Sequence, residues 1–393
     1  MTTPTAPHHA PMATATEGLH INEPFTIRPL AEYPQRDRLI AAAADHAQAV
    51  DQNAESPFAL LRTIGQDGLL ALGLDGSLVE QAAVIHDLAT ECTATAFSLW
   101  AHRSSIEYLH ATGHKIPQGL RDGSEPGSSA MAPAFKAAAG ISDIPVTLTR
   151  SASSNSWVLN GVIPWASNLY PQGWVVLPAI RVDDAGEHRA VVVVTRTAAE
   201  GISVRPLQNL MALDSTASGI VTFKDSPVTE DAILTEDLPA FLAVVRGPFL
   251  LMQAAFCVGL SAAALASADS ALTGVSEVFR PDRDAVVAEF ERVRSTLLNY
   301  LRTPRDLEFR DVLHLRLDAA LLTGEATRLE SKVVGGKGYA IRSDTARRAR
   351  EAAFLPVQSP TESHLRHLLM HWEAETGTHG QTPTVGNNQN LTV

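Results

Sequence analysis

Hydrophobic and polar positions divide the chain into three zones with different periodicities. From about Arg36 to Gln118, apolar residues recur every three or four positions, as in "SPFALLRTIGQDGLLALGL", which indicates amphipathic helices. The stretch "SLVEQAAVIHDLATECTATAFSLWAHRSSIEYLHATG" predicts one or two long helices that end near Gly113. We therefore expect an N-terminal helical domain over residues 21–120.

The middle zone, residues 121–235, has the pattern of short strands. Its β-branched runs are separated by turn residues such as "SSN", "DDAGE" and "KDSP". The runs are "IPVTLTRS", "SWVLNGVIP", "GWVVLPAIRV", "HRAVVVVTRT", "ISVRPL" and "SGIVTFKDSPV". Regular spacing of this kind is typical of a barrel or a sandwich, and we predict a central antiparallel β-barrel domain.

Helical periodicity returns over residues 236–375. The predicted helices are Leu238–Leu272, Pro281–Leu301, Arg305–Val334 and a last helix from about Thr361 to Glu373. Charges in "RDAVVAEFERVRSTLLNYL" fall on one face, which is typical of a four-helix bundle. The three zones together predict an α+β fold. Residues 1–20 and 376–393 are polar and lack periodicity, so we expect disordered tails there.

One apolar segment is long enough to span a bilayer. Gly247–Leu272 contains about 20 residues without charge. It is rich in Ala, Gly and Ser, and no aromatic belt flanks it, so we predict a buried core helix and no membrane association.

Composition narrows the classes of partner and compartment. The 393 residues are 45% hydrophobic and carry a formal net charge of -12, which disfavours nonspecific binding to nucleic acid or to anionic membranes. Cys92 and Cys257 both lie in apolar helical stretches and are predicted to be buried thiols. Together with an N-terminus that lacks the pattern of a signal peptide, they predict a cytoplasmic protein.

The stretch "NGVIPWASNLY" places Trp165, Ala166 and Ser167 at the end of a predicted strand. Taken alone, Trp165 is most simply a core residue of the β domain. With Ser167, however, the stretch resembles a segment of the acyl-CoA dehydrogenase superfamily. In that family a Trp covers one face of the flavin isoalloxazine ring, and a hydroxyl two residues later bonds its N5 or O4 atom.

Further stretches carry the same resemblance, in the same order, over roughly residues 55–373. They are "LLRTIGQDGLLALGL", "DSTASGIVTFKDSPVTEDAIL", "VVGGKGYA" and "RRAREAAFLPVQSPTESHLR". The resemblance implies FAD as cofactor, with FMN as an alternative. The cofactor-binding residues that it implies are Trp165, Ala166, Ser167, Gly335, Gly336, Gly338, Thr361 and Ser142. It also implies a homotetramer or dimer, in which the apolar helix would be buried against neighbouring subunits.

The chain departs from the family at the catalytic base. Where the family carries a Glu, this chain has Ser359, and a hydroxyl alone cannot remove a proton next to a thioester. Glu362 lies about one helical turn later and is a candidate substitute, although a Glu there is often a helix-cap partner. The family's arginine motif near a neighbour's flavin is also missing, with Arg280 and Arg283 as possible replacements.

Three histidines, His364, His367 and His371, share one face of the last predicted helix. No carboxylate partner stands at helical spacing on that face, so we predict no metal site. Same-fold flavin monooxygenases lack the catalytic Glu and place polar residues near the flavin. His364 is therefore a candidate for handling protons in such a reaction.

Three functions follow from the resemblance. The first is a flavin-dependent dehydrogenase acting on an acyl thioester such as acyl-CoA, or on a related small substrate, with Glu362, Ser359 and His364 as catalytic candidates. The second is a same-fold monooxygenase that uses reduced flavin, supplied through a redox partner or flavin reductase. The third is a noncatalytic partner subunit of a heteromeric dehydrogenase, which fits the loss of both the base and the arginine motif.

Overall fold

A computed structural model of the chain describes residues 23–151, 156–183 and 185–377. The predicted tail 1–20, and the predicted tail 376–393 beyond residue 377, lie outside these ranges. The first zone is helical, as predicted. Its helices are α1 (Arg36–Asp51), α2 (Phe58–Gln66), α3 (Val79–Glu91), α4 (Thr93–Ala111) and the short α5 (Gln118–Arg121).

The second zone forms one eight-stranded sheet. Its elements are β1 (Gly127–Ser129), α6 (Ala132–Ala138), β2 (Val146–Arg150), β3 (Trp157–Ala166), β4 (Trp174–Val182), β5 (His188–Arg196), β6 (Ile202–Pro206), β7 (Gly219–Val228) and β8 (Ile233–Thr235). All six predicted runs are strands. Alternating side chains fill a core inside the sheet, as at Leu148, Leu159 and Leu177.

The prediction of an antiparallel β-barrel is not confirmed, because the sheet is open and mixed. The strand order is β6-β7-β3-β2-β4-β5-β8, and β1 lies beside β4. The strands β6 and β8 end the ladder without pairing to each other among the described residues, so the sheet is open. Strand β4 runs parallel to both β1 and β2, which makes the sheet mixed. Strand periodicity reports which face of a strand is buried, and it carries no information on closure.

The third zone returns to helices. They are α7 (Leu238–Ala271), α8 (Arg280–Tyr300), α9 (Phe309–Val334), α10 (Asp344–Phe354) and α11 (Glu362–Gly377). Four of these match the predicted helices. Helix α10 was not predicted, so this zone has five helices rather than the four of the expected bundle.

Helix α7 is the core helix that the sequence predicts. It is long and apolar enough to cross a membrane by length and composition, but 94% of its most apolar window is buried inside the protein. It packs against α3, α8 and α9. A Cβ at Gly259 would lie 2.3 Å from the carbonyl oxygen of His86, so glycine permits the close approach of α3 and α7. Because this chain itself covers α7, burial of that helix no longer argues for an oligomer.

The helices from both ends of the chain share one hydrophobic core, which includes Leu39 of α1, Ile85 of α3, Phe256 of α7 and Leu322 of α9. The sheet has a second core of its own, around Trp157 and Phe223. The sheet and the helices meet along β4, β5, α6 and α7, and this junction leaves a cavity.

Candidate functional site

The cavity between the sheet and the helices has a volume of about 900 Å³. The sheet and the helices α6, α7, α9 and α11 supply most of its wall. The sheet contributes Thr147, Ile180, His188 and Ala190, helix α7 contributes Leu238, Pro239, Leu242, Arg246 and Leu250, and the remaining residues include Phe135, Asp143, Phe309, Leu313, His364, Leu368 and Trp372. Apolar side chains predominate, as expected of a small-molecule site with a few polar groups that fix orientation.

The imidazole of His364 belongs to the cavity wall and has no hydrogen-bond partner in the described chain. The side chain is only 5% exposed, and neither ring nitrogen has a hydrogen-bond partner among the described residues. Burial, with smaller contributions from His367 and Lys136, lowers the pKa of His364 to about 4. The ring is therefore neutral near pH 7 and has one N–H donor and one lone pair, neither of which a described residue uses.

Arg246 supplies the cavity with a cation. Its guanidinium lies 3.7 Å from the ring centroid of Phe309, also a wall residue. It forms no ion pair with a carboxylate of the described chain, and burial lowers its pKa. A half-buried guanidinium without a counter-charge is unusual, because burying an unpaired charge is costly.

Beyond the cavity wall lies a buried polar group, the Arg316 cluster, made of Gln253, Arg316, Gln358 and Ser359. Gln253 continues the stripe of α7 that lines the cavity, three positions after Leu250. The Arg316 Nε donates to Gln253 Oε1 at 2.8 Å, and Arg316 Nη2 donates to Gln358 Oε1 at 3.1 Å. Arg316 is fully buried, and burial lowers its pKa.

The Arg316 cluster is rich in unused donors. Arg316 Nη1, Gln358 Nε2 and the Ser359 hydroxyl are buried without hydrogen-bond partners among the described residues. Ser359, where the resemblance expects the base, is linked to the buried cation through Gln253, and no described carboxylate bonds to either. Buried polar atoms usually have hydrogen-bond partners, so these donors are available to a ligand or to water.

Glu362 faces away from this chemistry. Its carboxylate accepts from Arg366 Nε at 2.8 Å in an i,i+4 pair on α11. It is not among the residues that line the cavity. Thr361 acts as the cap of α11, because its hydroxyl accepts from the backbone N–H of His364 at 3.2 Å. Of the three catalytic candidates, only His364 lies in the cavity wall.

Trp165 is not a core residue. Its side chain is 46% exposed, so the core alternative is wrong, and Trp157, 1% exposed, fills that role instead. The neighbouring Ala166 is buried. A flat, exposed indole at a strand end suits a stacked aromatic ring, and exposed apolar surface of this kind marks binding sites.

Ser167 ends a chain of hydroxyls. Thr216 donates to the carbonyl of Leu213 at 2.8 Å and contacts Ser218 Oγ at 3.1 Å. Ser218 in turn contacts Ser167 Oγ at 2.7 Å. Since each hydroxyl has one hydrogen, Ser218 donates to Thr216 and Ser167 donates to Ser218. The oxygen of Ser167 therefore remains as an acceptor, which fits an N–H donor on a bound ring.

The chain before β2 leaves the sheet at the Trp165 end of β3, because Val146 pairs antiparallel with Gly161. Ser142 and Asp143 lie in this exposed segment, and Asp143 reaches the cavity. Buried polar atoms near β3 also lack partners, among them Asn168 Oδ1, which adjoins Ser167. These residues fit a flavin ring at the end of β3.

The predicted glycines lie far from the cavity. Gly335 and Gly336 are exposed at the end of α9, about 30 Å along the helix from Leu313, which lines the cavity. A Cβ at either would meet open space, so the backbone is accessible. Gly338 is buried instead, and a Cβ there would meet Val334 at 2.8 Å. Within one chain, these glycines cannot touch a ligand held in the cavity.

The two arginines suggested as replacements for the family's motif are engaged. Arg280 pairs with Glu277 on the surface. Arg283 is 2% exposed and donates to Asp269 Oδ1 at 2.7 Å, with a second carboxylate at Asp284. Arg283 therefore has a structural role here.

The three histidines of α11 diverge. His364 lies in the cavity wall, whereas His367 and His371 are exposed, with their ring centroids 4.2 Å apart. In the part of the chain that the structure describes, no group of three His, Cys, Asp or Glu side chains is arranged to hold a metal ion.

Sequence reasoning missed Arg246 and Arg316. A signal for Arg246 was available, because it is the lone charge in "LPAFLAVVRGPFLLMQ". A charge that interrupts such an apolar helix needs either a partner or a function. Arg316 gave no such signal, since it lies among the charged residues of an amphipathic helix.

No protein-family model matches the chain, and neither does the sequence of any curated protein. Solved structures do match. Butyryl-CoA dehydrogenase from Megasphaera elsdenii aligns with a TM-score of 0.75 and 16% identity over 88% of this chain and 99% of that chain. The chain has the fold of the acyl-CoA dehydrogenases.

Two same-fold structures of other kinds align equally well. KijD3, in complex with FMN and dTDP-3-amino-2,3,6-trideoxy-4-keto-3-methyl-D-glucose, aligns with a TM-score of 0.74 and 17% identity over 87% of this chain and 92% of that chain. A nitrososynthase from Micromonospora carbonacea var. africana aligns with a TM-score of 0.73 and 16% identity over 86% of this chain and 94% of that chain. The fold thus carries more than one reaction.

Proposed function

We propose that this acyl-CoA dehydrogenase-like protein is a flavin-dependent oxidoreductase that oxygenates a small organic substrate, using reduced flavin and O₂. One observation carries the choice of reaction. Ser359 stands where the resemblance expects the base, the alternative Glu362 pairs with Arg366, and the neutral His364 is the catalytic candidate that lies in the cavity wall. The carboxylate of Asp143 is exposed to water at the cavity edge, which does not suit a base tuned by burial.

The cofactor assignment rests on the end of β3. Trp165 would cover one face of the flavin ring, and the acceptor oxygen of Ser167 would face a ring N–H. A bound flavin supplies the electrons of the reaction and the centre that reacts with O₂. We propose FAD, with FMN as the alternative, and the complex of KijD3 with FMN supports keeping that alternative.

Because Gly335 and Gly336 lie about 30 Å from the cavity, they would contact FAD only across a subunit boundary. Exposed apolar side chains support a homo-oligomer, a dimer or tetramer: Tyr339, three positions after Gly336, is 91% exposed, and Val275 elsewhere on the surface is 94% exposed. Both cysteines are free and buried, which supports the cytoplasm as location.

His364 would move the proton of the reaction. One oxygen atom of O₂ is added to the substrate and the other leaves as water, while a flavin reductase delivers two electrons from a nicotinamide donor. At neutral pH, the His364 ring can accept a proton from a substrate group at one nitrogen, or return it. The apolar wall around it, which includes Leu242, Leu250 and Leu368, excludes water from this exchange.

Spectroscopy of the purified protein tests the proposal. We expect a flavin spectrum that does not bleach with butyryl-CoA under anaerobic conditions, and substrate-stimulated O₂ consumption with NADH and a flavin reductase. His364→Gln should lower the oxygenation rate about 100-fold, because proton transfer contributes roughly 10²–10⁴-fold. The exposed His367→Gln is the matched control and should leave the rate unchanged.

A second candidate is the acyl-thioester dehydrogenase. The α7 stripe from Leu238 to Leu250 lines the cavity over about 18 Å, a length that accommodates an extended acyl chain. Rapid bleaching by an acyl-CoA would favour this candidate over the monooxygenase. A colourless protein that binds no added flavin would favour the third alternative, a noncatalytic partner subunit.

A further inference from the structure

The charge of Arg246 is the unexplained feature of the cavity. Three buried arginines of the described chain pair with carboxylates, as Arg103–Glu107, Arg283–Asp269 and Arg348–Glu330, and the buried Arg316 is held by two glutamine oxygens. Arg246 has only the ring of Phe309 beneath it. A guanidinium that stacks on an aromatic ring keeps its N–H donors in its own plane, parallel to the ring. An anion can then approach these donors edge-on.

The acidic side chains near the cavity do not neutralise Arg246. Glu236 binds Arg181 and Arg189 at the cavity mouth. Asp237 accepts the backbone N–H of Ala240 and caps α7. Asp143 is exposed on the segment before β2 and forms no ion pair with Arg246.

Two further positive charges lie close to the cavity, and the carboxylate in its wall is that of the exposed Asp143. Arg316 lies behind the wall without a carboxylate, bound to Gln253, which is about 10 Å along α7 from Arg246. Lys136 of α6 is close enough to His364 to act on it electrostatically. Most of the wall is thus apolar, with Arg246 as its cation and the exposed Asp143 as its carboxylate. An apolar wall with an unpaired guanidinium favours an amphiphilic anion.

We propose that the cavity is a binding site for an apolar organic acid, whose carboxylate is held edge-on by Arg246 and whose body lies among Phe135, Leu242, Leu250 and Leu313. A hydroxyl or carbonyl on that body reaches the free ring nitrogens of His364. As the substrate class of the same site, this inference rests on the proposed function. Carboxylate recognition by an arginine fork is strong and geometrically specific.

Calorimetric titration of the purified full-length protein tests the inference without turnover. The probes are 2-naphthoate and its uncharged analogue 2-naphthamide. We expect wild type to bind naphthoate at least 10-fold more tightly than naphthamide. Arg246→Gln should weaken naphthoate binding about 10- to 100-fold and leave naphthamide binding unchanged, given the strength of hydrogen bonds to charged groups. Arg310→Gln, which removes an exposed arginine next to Phe309, should change neither.

Arg246→Lys keeps the charge and removes the fork, so it should lose part of the affinity, and a thermal melt of each variant checks folding. Equal affinity for acid and amide in wild type, or no naphthoate binding at millimolar concentration, would overturn the inference. So would coenzyme A binding that depends on Arg246 while naphthoate binding does not, because the anion recognised would then be a phosphate. Naphthoate binding through Arg246 without any oxygenation would instead uphold the acid site and reject the monooxygenase.

Discussion

Two buried histidines, His102 on α4 and His364 on α11, are alike in burial and differ in their partners. Burial lowers the pKa of each to about 4. The Nε2–H of His102 donates to the carbonyl of Leu120 at 2.8 Å, and its Nδ1 accepts from the backbone N–H of Gly127 at 3.0 Å. Both nitrogens of His364 are without partners among the described residues.

This is the difference that we expect between a structural histidine and a histidine that serves a ligand. The two backbone groups fix one neutral tautomer of His102, because protonation would turn Nδ1 into a second donor against the Gly127 N–H. No described partner fixes the tautomer of His364, so a ligand in the cavity can use either nitrogen. Burial and pKa are similar for the two histidines. Their hydrogen-bond partners are therefore the property that distinguishes the two expected roles.

The largest expected effect is on folding stability. His102→Ala leaves a buried carbonyl and a buried N–H unpaired, each costing about 1–3 kcal/mol, and opens a void. We expect a loss of about 3 kcal/mol or more in the free energy of unfolding, measured by urea denaturation. His364→Ala should change it by less than about 1 kcal/mol, since no hydrogen bond is lost. Equal losses for both variants would contradict the proposed difference in role between His102 and His364.

Two tryptophans extend the comparison to aromatic residues. Trp174 donates to Glu125 at 2.8 Å and lies under the guanidinium of Arg196, whereas the exposed Trp165 has no side-chain hydrogen bond in the described chain. Trp174→Ala should cost about 2–3 kcal/mol, and Trp165→Ala less than about 0.5 kcal/mol. In contrast, Trp165→Ala should lose more flavin during gel filtration than Trp174→Ala. Flavin loss from both variants alike would show that Trp165 has no special contact with the cofactor.

Stability should depend on pH below neutrality. The folded pKa of His364, about 4, is below the ordinary value of 6.5, so the unfolded chain binds the proton first as the pH falls. The contribution of neutral His364 to the free energy of unfolding is fully present above pH 6.5. As the pH falls towards 4, the free energy of unfolding decreases by roughly 1–3 kcal/mol. Urea titrations of wild type and His364→Gln at several pH values should show a shallower loss in the variant. Parallel curves would mean that the pKa of His364 is not lowered.

The smallest effect is expected at Glu362. Its ion pair with Arg366 lies near the surface, so Glu362→Gln should change the unfolding free energy by about 0.5 kcal/mol or less. Because Glu362 does not line the cavity, the turnover rate should also stay within about 2-fold. A 100-fold loss of turnover, with the fold intact by circular dichroism, would restore Glu362 as the base.

Much of the fold was predictable because local hydrophobic periodicity indicates where helices and strands lie. The strand β5 and the helix α9 lie where hydrophobic spacing placed them. Helix α10 was missed because "DTARRAREAAF" is short and mostly polar. The site was only partly predictable. His364 was a candidate through its family context, but the pairing of Glu362 with Arg366 depends on side-chain directions that spacing does not give.

The sequence by itself determined the order of helical, strand and helical zones, the buried α7, and the absence of a Glu at the position of Ser359. The tertiary structure decided that the sheet is open and that Trp165 is exposed. It also decided that Arg246 and His364, 118 positions apart in sequence, line one cavity. Periodicity arises from neighbours within a few residues, whereas a site forms where distant elements pack and leave polar atoms without partners.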